Sequence, residues 1–322
     1  MGMPIVLILG IIFFSLILLK ATDLLVVHLK ALAEKTHLGD YLLSTVIVGL
    51  ATSLPELTVA VTSSLAGEPN LAMGNAIGSN IANLSLVAGL AALVGGSIAV
   101  RNHSYSSDLI HAFMAGLAPL FLLMDNVLSR VDGLILISLY GFYNYFILRD
   151  RNKEMLAEER TNVFSLIVSR LRNNGSGKHI MLIFLSLALL LFSGDMMVKF
   201  AIQLSDVMHI PVLLVGIFFI TFGTILPELI VEFKAIRQRE TALFMGNVLG
   251  TIVANGTLIV GITALIAPIT IQAFNEYIIA TVFFLSTFTF FYFFIKTKSR
   301  LDRWEGFVLL ATYAIFAVLE FM

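Results

Sequence analysis

The sequence predicts an all-α fold: a polytopic membrane protein of ten transmembrane helices arranged as two inverted five-helix repeats. Three observations lead there: a shortage of charge, a succession of apolar runs long enough to cross a bilayer, and self-similarity at a constant offset. Of 322 residues, 58% are hydrophobic and 13% charged, against about 25% charged in an ordinary soluble domain. The polar residues collect in loops between long apolar runs, which rules out a soluble body with a single anchor and, with it, Rossmann, TIM-barrel and nucleic-acid-binding folds. A formal net charge of −1 leaves no basic footprint for a polyanion. Without cysteine there is no disulfide framework, thiolate metal site or cysteine nucleophile.

A hydrocarbon core about 30 Å thick needs roughly 20 apolar residues of helix. Such runs occupy 3–29, 40–65, 70–96, 105–124, 131–148, 180–204, 210–235, 241–267, 273–295 and 303–321. The first lacks a basic leader and an A-x-A cleavage site, so it is expected to be a retained helix. The runs divide into a first five-helix repeat, 1–149, a polar linker, 150–178, and a second repeat, 179–322. The linker reads as a solvated connector; its short apolar stretch Val163–Val168 is also compatible with a surface-lying helix.

Placing the linker in the cytoplasm fixes the side of every other loop, and the remaining basic residues then test the choice. Lys30, Lys35, Arg101, Lys234, Arg237, Arg239, Lys296, Lys298, Arg300 and Arg303 fall in loops or helix ends on the cytoplasmic side, and only Arg130 in an outside loop. Both termini are expected outside, in a multi-pass protein of the cell (plasma) membrane.

The repeat is explicit. Leu54-Pro55-Glu56-Leu57 returns as Leu226-Pro227-Glu228-Leu229, an offset of 172 residues. At the same offset Asp23 matches Asp195, His37 matches His209, Met73-Gly74-Asn75 matches Met245-Gly246-Asn247, and Ala82-Asn83 matches Ala254-Asn255. Five spans per repeat is an odd number, so the second copy enters the membrane from the opposite side. Inverted halves of this kind are a recurrent secondary-transporter architecture.

Each half hides one carboxylate in an apolar span, Glu56 and Glu228, directly after a proline. Such a group is expensive at membrane depth unless it meets a cavity, a partner or an ion. Neither half offers a nearby Lys or Arg, so a bound cation is the natural partner; the alternative is two protonated carboxyls hydrogen-bonded inside the bundle. Thr52 and Ser53 precede Glu56 by four and three positions and share its helix face, and Thr224 repeats the device before Glu228. Pro55 and Pro227 cannot donate to the carbonyls of Ala51 and Gly223. Hard oxygen donors of this kind suit Ca²⁺. In the next span of each half Ser79 and Asn83, like Thr251 and Asn255, stand four apart, and each Asn lies 27 residues after its glutamate. Gly74, Gly78, Gly246 and Gly250 read as close helix crossings through small residues.

These segments, Ala51-Thr52-Ser53-Leu54-Pro55-Glu56-Leu57 with Gly74 to Asn83, and Gly223-Thr224-x-Leu226-Pro227-Glu228-Leu229 with Gly246 to Asn255, resemble the two alpha motifs (49–83 and 221–255) of the cation/Ca²⁺ exchanger superfamily. The resemblance is strongest to its prokaryotic Na⁺/Ca²⁺ exchanger-like branch. It implies an antiporter working by alternating access, not an enzyme, with Ca²⁺ and Na⁺ as transported ions and no organic cofactor. By residue-to-residue correspondence it implies Glu56 and Glu228 as shared cation ligands. Thr52, Ser53 and Ser79 would ligate on one side and Thr224 and Thr251 on the other, with backbone carbonyls near Gly49 and Thr221, and Asn83 and Asn255 completing the middle. In the family, helices 1 and 6 slide against the core, which leaves Asp23 and Asp195 either locking that movement or standing as interfacial carboxylates. Some members carry aspartate at the position of Asn255 and serine at that of Ile225, so H⁺ is an alternative counter-ion. A cation channel is a more distant reading, and an intramembrane enzyme lacks its metal motif or Ser/Lys dyad. Membrane lipid is the expected environment, with no nucleic acid or obligatory protein partner. Glu232, where the first half has Ala60, reads as a salt-bridged or vestibule residue near Lys234, and His28, His37 and His209 as hydrogen-bonded interface residues.

Overall fold

The computed structural model describes residues 2–36, 52–99, 105–152, 177–238 and 240–321. Gly49, Ala51, His37, Arg101 and the Val163–Val168 stretch lie outside the described residues. The described residues are almost entirely helical: α1 (Gly2–Thr36), α2 (Leu54–Leu65), α3 (Pro69–Gly95), α4 (Tyr105–Leu122), α5 (Arg130–Asn152) and α6 (Gly177–Met208). There follow α7 in two segments, Val212–Thr224 and Leu226–Gln238, then α8 from Thr241 to Ile266, α9 (Phe274–Lys298) and α10 (Arg303–Glu320). Among the described residues, six helices are long and apolar enough to cross a bilayer, and a seventh if the two segments of α7 form one span. The remaining helices are shorter or less apolar.

Local sequence explains the helix ends. Pro55 and Pro69 sit in the first turns of α2 and α3, where a missing N–H costs nothing. A capping box between Asp302 and Glu305 opens α10. In α7 the axis bends by 47° at Ile225: Pro227 supplies no N–H and its ring crowds the carbonyl four residues back. Three π-helical turns lie at Asn83–Val87 in α3, Val215–Ile220 in α7 and Ala254–Ile259 in α8. The first and third stand at repeat-equivalent positions around Asn83 and Asn255, and π turns concentrate at functional sites.

The apolar membrane-length windows of α3 and α8 are 72% buried inside the protein, whereas those of α1, α4 and α6 are 28%. The centre is therefore built from α3 and α8, with α2 and α7 against them. The crossing of α3 with α7 is backbone-close: a Cβ on Gly74 would stand 2.2 Å from the Leu213 carbonyl oxygen, and one on Gly78 2.4 Å from that of Ile217, whereas a Cβ on Gly246 or Gly250 would meet nothing within 4 Å among the described residues, so those two do not mark a close crossing. Helices α1 and α6 run along one another outside this centre, sharing an apolar seam of Leu7, Ile11, Leu18, Leu190, Met197 and Ala201. The Nδ1 atoms of His28 and His179 meet at 3.1 Å across that pair, so His28 is an interface residue as expected. His209 is exposed, with φ of 54° in the turn after α6. Asp195 pairs with Lys199 on the exposed side of α6 at 2.6 Å, and Asp23 is exposed on α1. Large apolar side chains such as Phe13, Phe121 and Phe184 face outward, the surface a lipid solvent requires.

Two short ribbons tie the halves together. Strand β1 (Ser97–Ala99) pairs antiparallel with β4 (Arg300–Asp302), and β2 (Val127–Leu128) with β3 (Ile269–Thr270). At the 172-residue offset β1 corresponds to β3, and β2 to β4. Each ribbon thus joins one strand from each half, and the two ribbons are images of one another.

Candidate functional site

The polar side chains of the core form one network where α2, α3, α7 and α8 meet. Glu56 is in the first turn of α2 and Glu228 in the first turn after the α7 bend, both with no exposure. Their carboxylates lie close enough to interact electrostatically, yet their surroundings differ. Asn83 Nδ2 donates to Glu228 Oε2 at 2.7 Å, and Thr251 Oγ1 donates to Oε1 at 3.0 Å. No well-formed hydrogen bond reaches either oxygen of Glu56 among the described residues; its own N–H and the Thr224 hydroxyl, which donates to Asn75, lie toward it only loosely.

The expected hydroxyls and amides fall around them. Thr224 Oγ1 donates to Asn75 Oδ1 at 3.1 Å, and Thr52 Oγ1 to Asn247 Oδ1 at 3.2 Å. These are repeat-equivalent bonds running in opposite directions between the halves. Thr221 also reaches Asn75, through both its backbone and side-chain oxygens, at 3.2 and 3.3 Å. The carbonyl of Thr221 accepts the Ile225 N–H at 3.0 Å. Asn255 Nδ2 donates to Asn80 Oδ1 at 3.0 Å, which leaves Asn255 Oδ1 without a donor, and the buried hydroxyls of Ser53 and Ser79 are also without partners among the described residues. Ile225, in place of a hydroxyl, packs with Ala82 and Val87.

Residues outside the expected ligand set complete the network. Asn75 and Asn247 are its cross-links, and Asn80 holds Asn255; the repeat displayed the first two, but their amides could not be told from packing residues by spacing alone. Glu232 corrects the sequence expectation. It is 1% exposed, it makes no ion pair with Lys234, and its Oε1 accepts from Asn247 Nδ2 at 2.9 Å. One turn beyond Glu228 it points inward with it, because positions four apart share a helix face. Among the described residues no three His, Asp or Glu side chains converge on one point, so a cation here would take two carboxylates at most, and neutral oxygens.

The family model for the sodium/calcium exchanger protein matches residues 6–149 and 178–322, nearly the whole chain on either side of the linker. The chain belongs to the sodium/calcium exchanger family. Among relatives of this exchanger family, the inner membrane protein YrbG of Escherichia coli is 30% identical over 79% of this chain and 78% of its own. The sodium/calcium exchanger MaX1 of Methanosarcina acetivorans is 27% identical over 98% of this chain and 97% of its own. A solved structure of the sodium-calcium exchanger NCX_Mj, soaked with Na⁺ and without Ca²⁺, superposes with a TM-score of 0.62 at 26% identity, covering 97% of this chain and 98% of that one. This exchanger-family chain is thus a multi-pass membrane protein with relatives that are transporters.

Proposed function

We propose that this protein is a secondary antiporter exchanging Ca²⁺ for Na⁺ by alternating access, with Glu56 and Glu228 as ligands shared by the competing ions. One observation carries the reading: buried oxygens with no hydrogen-bond partner among the described residues, Glu56 Oε1 and Oε2, Ser53 Oγ, Ser79 Oγ and Asn255 Oδ1, on helices joined by the hydrogen bonds around Glu228. Buried oxygens without donors are costly, and a hard cation offsets that cost. Two carboxylates with neutral hydroxyl and amide oxygens fit Ca²⁺, which takes 6–8 oxygens, and their charge equally balances two Na⁺.

Thr52, Ser53 and Ser79 then serve on one side, Thr224 and Thr251 on the other, Asn83 and Asn255 in the middle, with carbonyls near Gly49 and Thr221. The names of MaX1 and NCX_Mj support the choice of ions. The two mirrored ribbons, the paired π turns and the crossed Thr–Asn bonds support ten helices in two inverted repeats. In the ten-span arrangement the α3–α4 and α9–α10 loops that carry β1 and β4 share a side, as do the loops carrying β2 and β3. The interrupted family match supports a division into 1–149, 150–178 and 179–322. The basic loops support a cytoplasmic linker with both termini outside.

The test is Ca²⁺ uptake into proteoliposomes driven by an outward Na⁺ gradient, with any pH gradient collapsed by ionophore. Uptake that follows the Na⁺ gradient is expected. Uptake that ignores Na⁺ and follows an imposed pH gradient overturns Na⁺ exchange in favour of Ca²⁺/H⁺ exchange, and continuous conductance in a planar bilayer overturns both in favour of a channel.

A further inference from the structure

Glu232 is a third carboxylate that the two-glutamate site does not use. It sits in α7 one turn past Glu228, toward the end that carries Lys234 and Arg237, and it is 1% exposed. Every ion pair among the described residues lies elsewhere, so none of the described basic side chains pairs with it. Its Oε1 accepts from Asn247 Nδ2 at 2.9 Å, while Oε2 is buried with no partner among the described residues. Asn247 in turn accepts from Thr52 at 3.2 Å through Oδ1. Glu232 and Glu228 interact electrostatically, but no three carboxylates converge on one point among the described residues. Glu232 therefore does not converge with Glu56 and Glu228 on one point.

We propose that Glu232 and the Asn247 amide form a separate binding position for one monovalent cation, Na⁺, beside the Glu56–Glu228 site, with Thr52 holding the far edge of the amide. The donor set is one carboxylate and one amide oxygen, hard oxygens with a single negative charge, which suits a monovalent ion. The Asn247 amide is the moving part. A half-turn about its last torsion brings Oδ1 toward Glu232 to share the ion, and turns Nδ2 toward the Thr52 hydroxyl, which accepts as readily as it donates. Thr52 belongs to the half that carries Glu56, so occupation of this position is communicated to the central site by one hydrogen bond. The position has no image in the other half, where Ala60 stands at the equivalent place.

This inference rests on the Na⁺/Ca²⁺ reading, and one experiment separates their failures. Equilibrium ²²Na⁺ binding and Na⁺ displacement of bound ⁴⁵Ca²⁺ are measured on the full chain in detergent, for wild type, Glu232→Gln, and the double variant Glu232→Gln/Asn247→Asp, which moves the charge to the adjacent residue. Glu232→Gln is expected to bind one Na⁺ fewer, with a correspondingly shallower displacement curve, and the double variant to recover both. An unchanged Na⁺ count and slope in Glu232→Gln overturns the inference and leaves the exchanger reading intact. Wild type that binds Ca²⁺ without Na⁺ competition overturns both. Should Glu232→Gln fail to fold, the double variant decides: a Na⁺ count one below wild type in that folded, charge-restored chain counts against the position.

Discussion

The two central glutamates occupy equivalent places in the repeat but unlike surroundings, and that difference sets the outcome of replacing Glu56 with glutamine. In the ion-free protein Glu56 accepts no hydrogen bond among the described residues, so the amide forfeits none and removes an uncompensated buried charge. The melting temperature without Ca²⁺ is expected to hold or rise. With Ca²⁺ the variant has lost one of two carboxylates. Unit charges 4 Å apart at an effective dielectric of 20 interact by about 4 kcal/mol, and a divalent ion doubles this. Desolvation takes back more than half, leaving about 3 kcal/mol, roughly a hundredfold in Kd. Thermal unfolding in detergent against Ca²⁺ concentration reads this directly. At a concentration 100 times the wild-type Kd the ion stabilises wild type by about 2.7 kcal/mol, and the variant, now near its own Kd, by only about 0.4 kcal/mol. A calcium-dependent shift of wild-type size in Glu56→Gln, or a marked fall in its ion-free melting temperature, refutes the assignment of Glu56 as an ion ligand without a structural partner.

Glu228→Gln should behave differently without any ion. Asn83 and Thr251 both donate to the carboxylate and an amide accepts on one side only, so a loss of about 1 kcal/mol of ion-free stability is expected, with calcium stabilisation also lost; a melting temperature at or above wild type contradicts the hydrogen-bond assignment. Gly78→Ala places a methyl 2.4 Å from the Ile217 carbonyl oxygen and 2.5 Å from Thr221 Oγ1. Forcing α3 from α7 is expected to cost about 1–3 kcal/mol, and an unchanged denaturation curve argues against that crossing. Ile225→Ser empties an apolar niche beside Ala82 and Val87; a stability loss of about 2–4 kcal/mol is expected, and full stability with improved Na⁺ affinity means the hydroxyl has joined the ion site instead.

Much of this architecture was legible because membrane burial makes exceptions visible. Glu56 and Glu228 stand out in apolar spans, and the repeat marks them twice. Among the described residues the helices begin and end near the positions that the apolar runs give, the start of the 40–65 run lying outside them, since length and hydropathy are what a bilayer selects for. Three features escaped. The π turns at Asn83 and Asn255 leave no compositional trace, because they depend on how α3 and α8 meet their neighbours. Asn75 and Asn247 were visible in the repeat, but whether an amide links helices or fills space is decided by its partner across the core. Glu232 was judged by its distance along the chain from Lys234, yet two residues apart on a helix face different ways; the four-residue step from Glu228 was the informative spacing.

The network also shows how a symmetric scaffold can hold an asymmetric site. The crossed bonds from Thr52 to Asn247 and from Thr224 to Asn75 obey the repeat. Around the carboxylates the pairing breaks: Asn83 reaches across to Glu228, whereas its counterpart Asn255 turns to Asn80 and makes no matching bond to Glu56. Strictly equivalent halves would give two inverted conformations the same energy, and a chain of identical repeats would have no preferred facing. Ala60 against Glu232, and Ser53 against Ile225, remove that degeneracy with a carboxylate and an apolar plug on the same helix. Any ion that binds more tightly beside one of them shifts the population toward the conformation in which it does so. Under the proposed exchange mechanism, the residues that break the repeat would set direction, and the residues that keep it would set the ion chemistry.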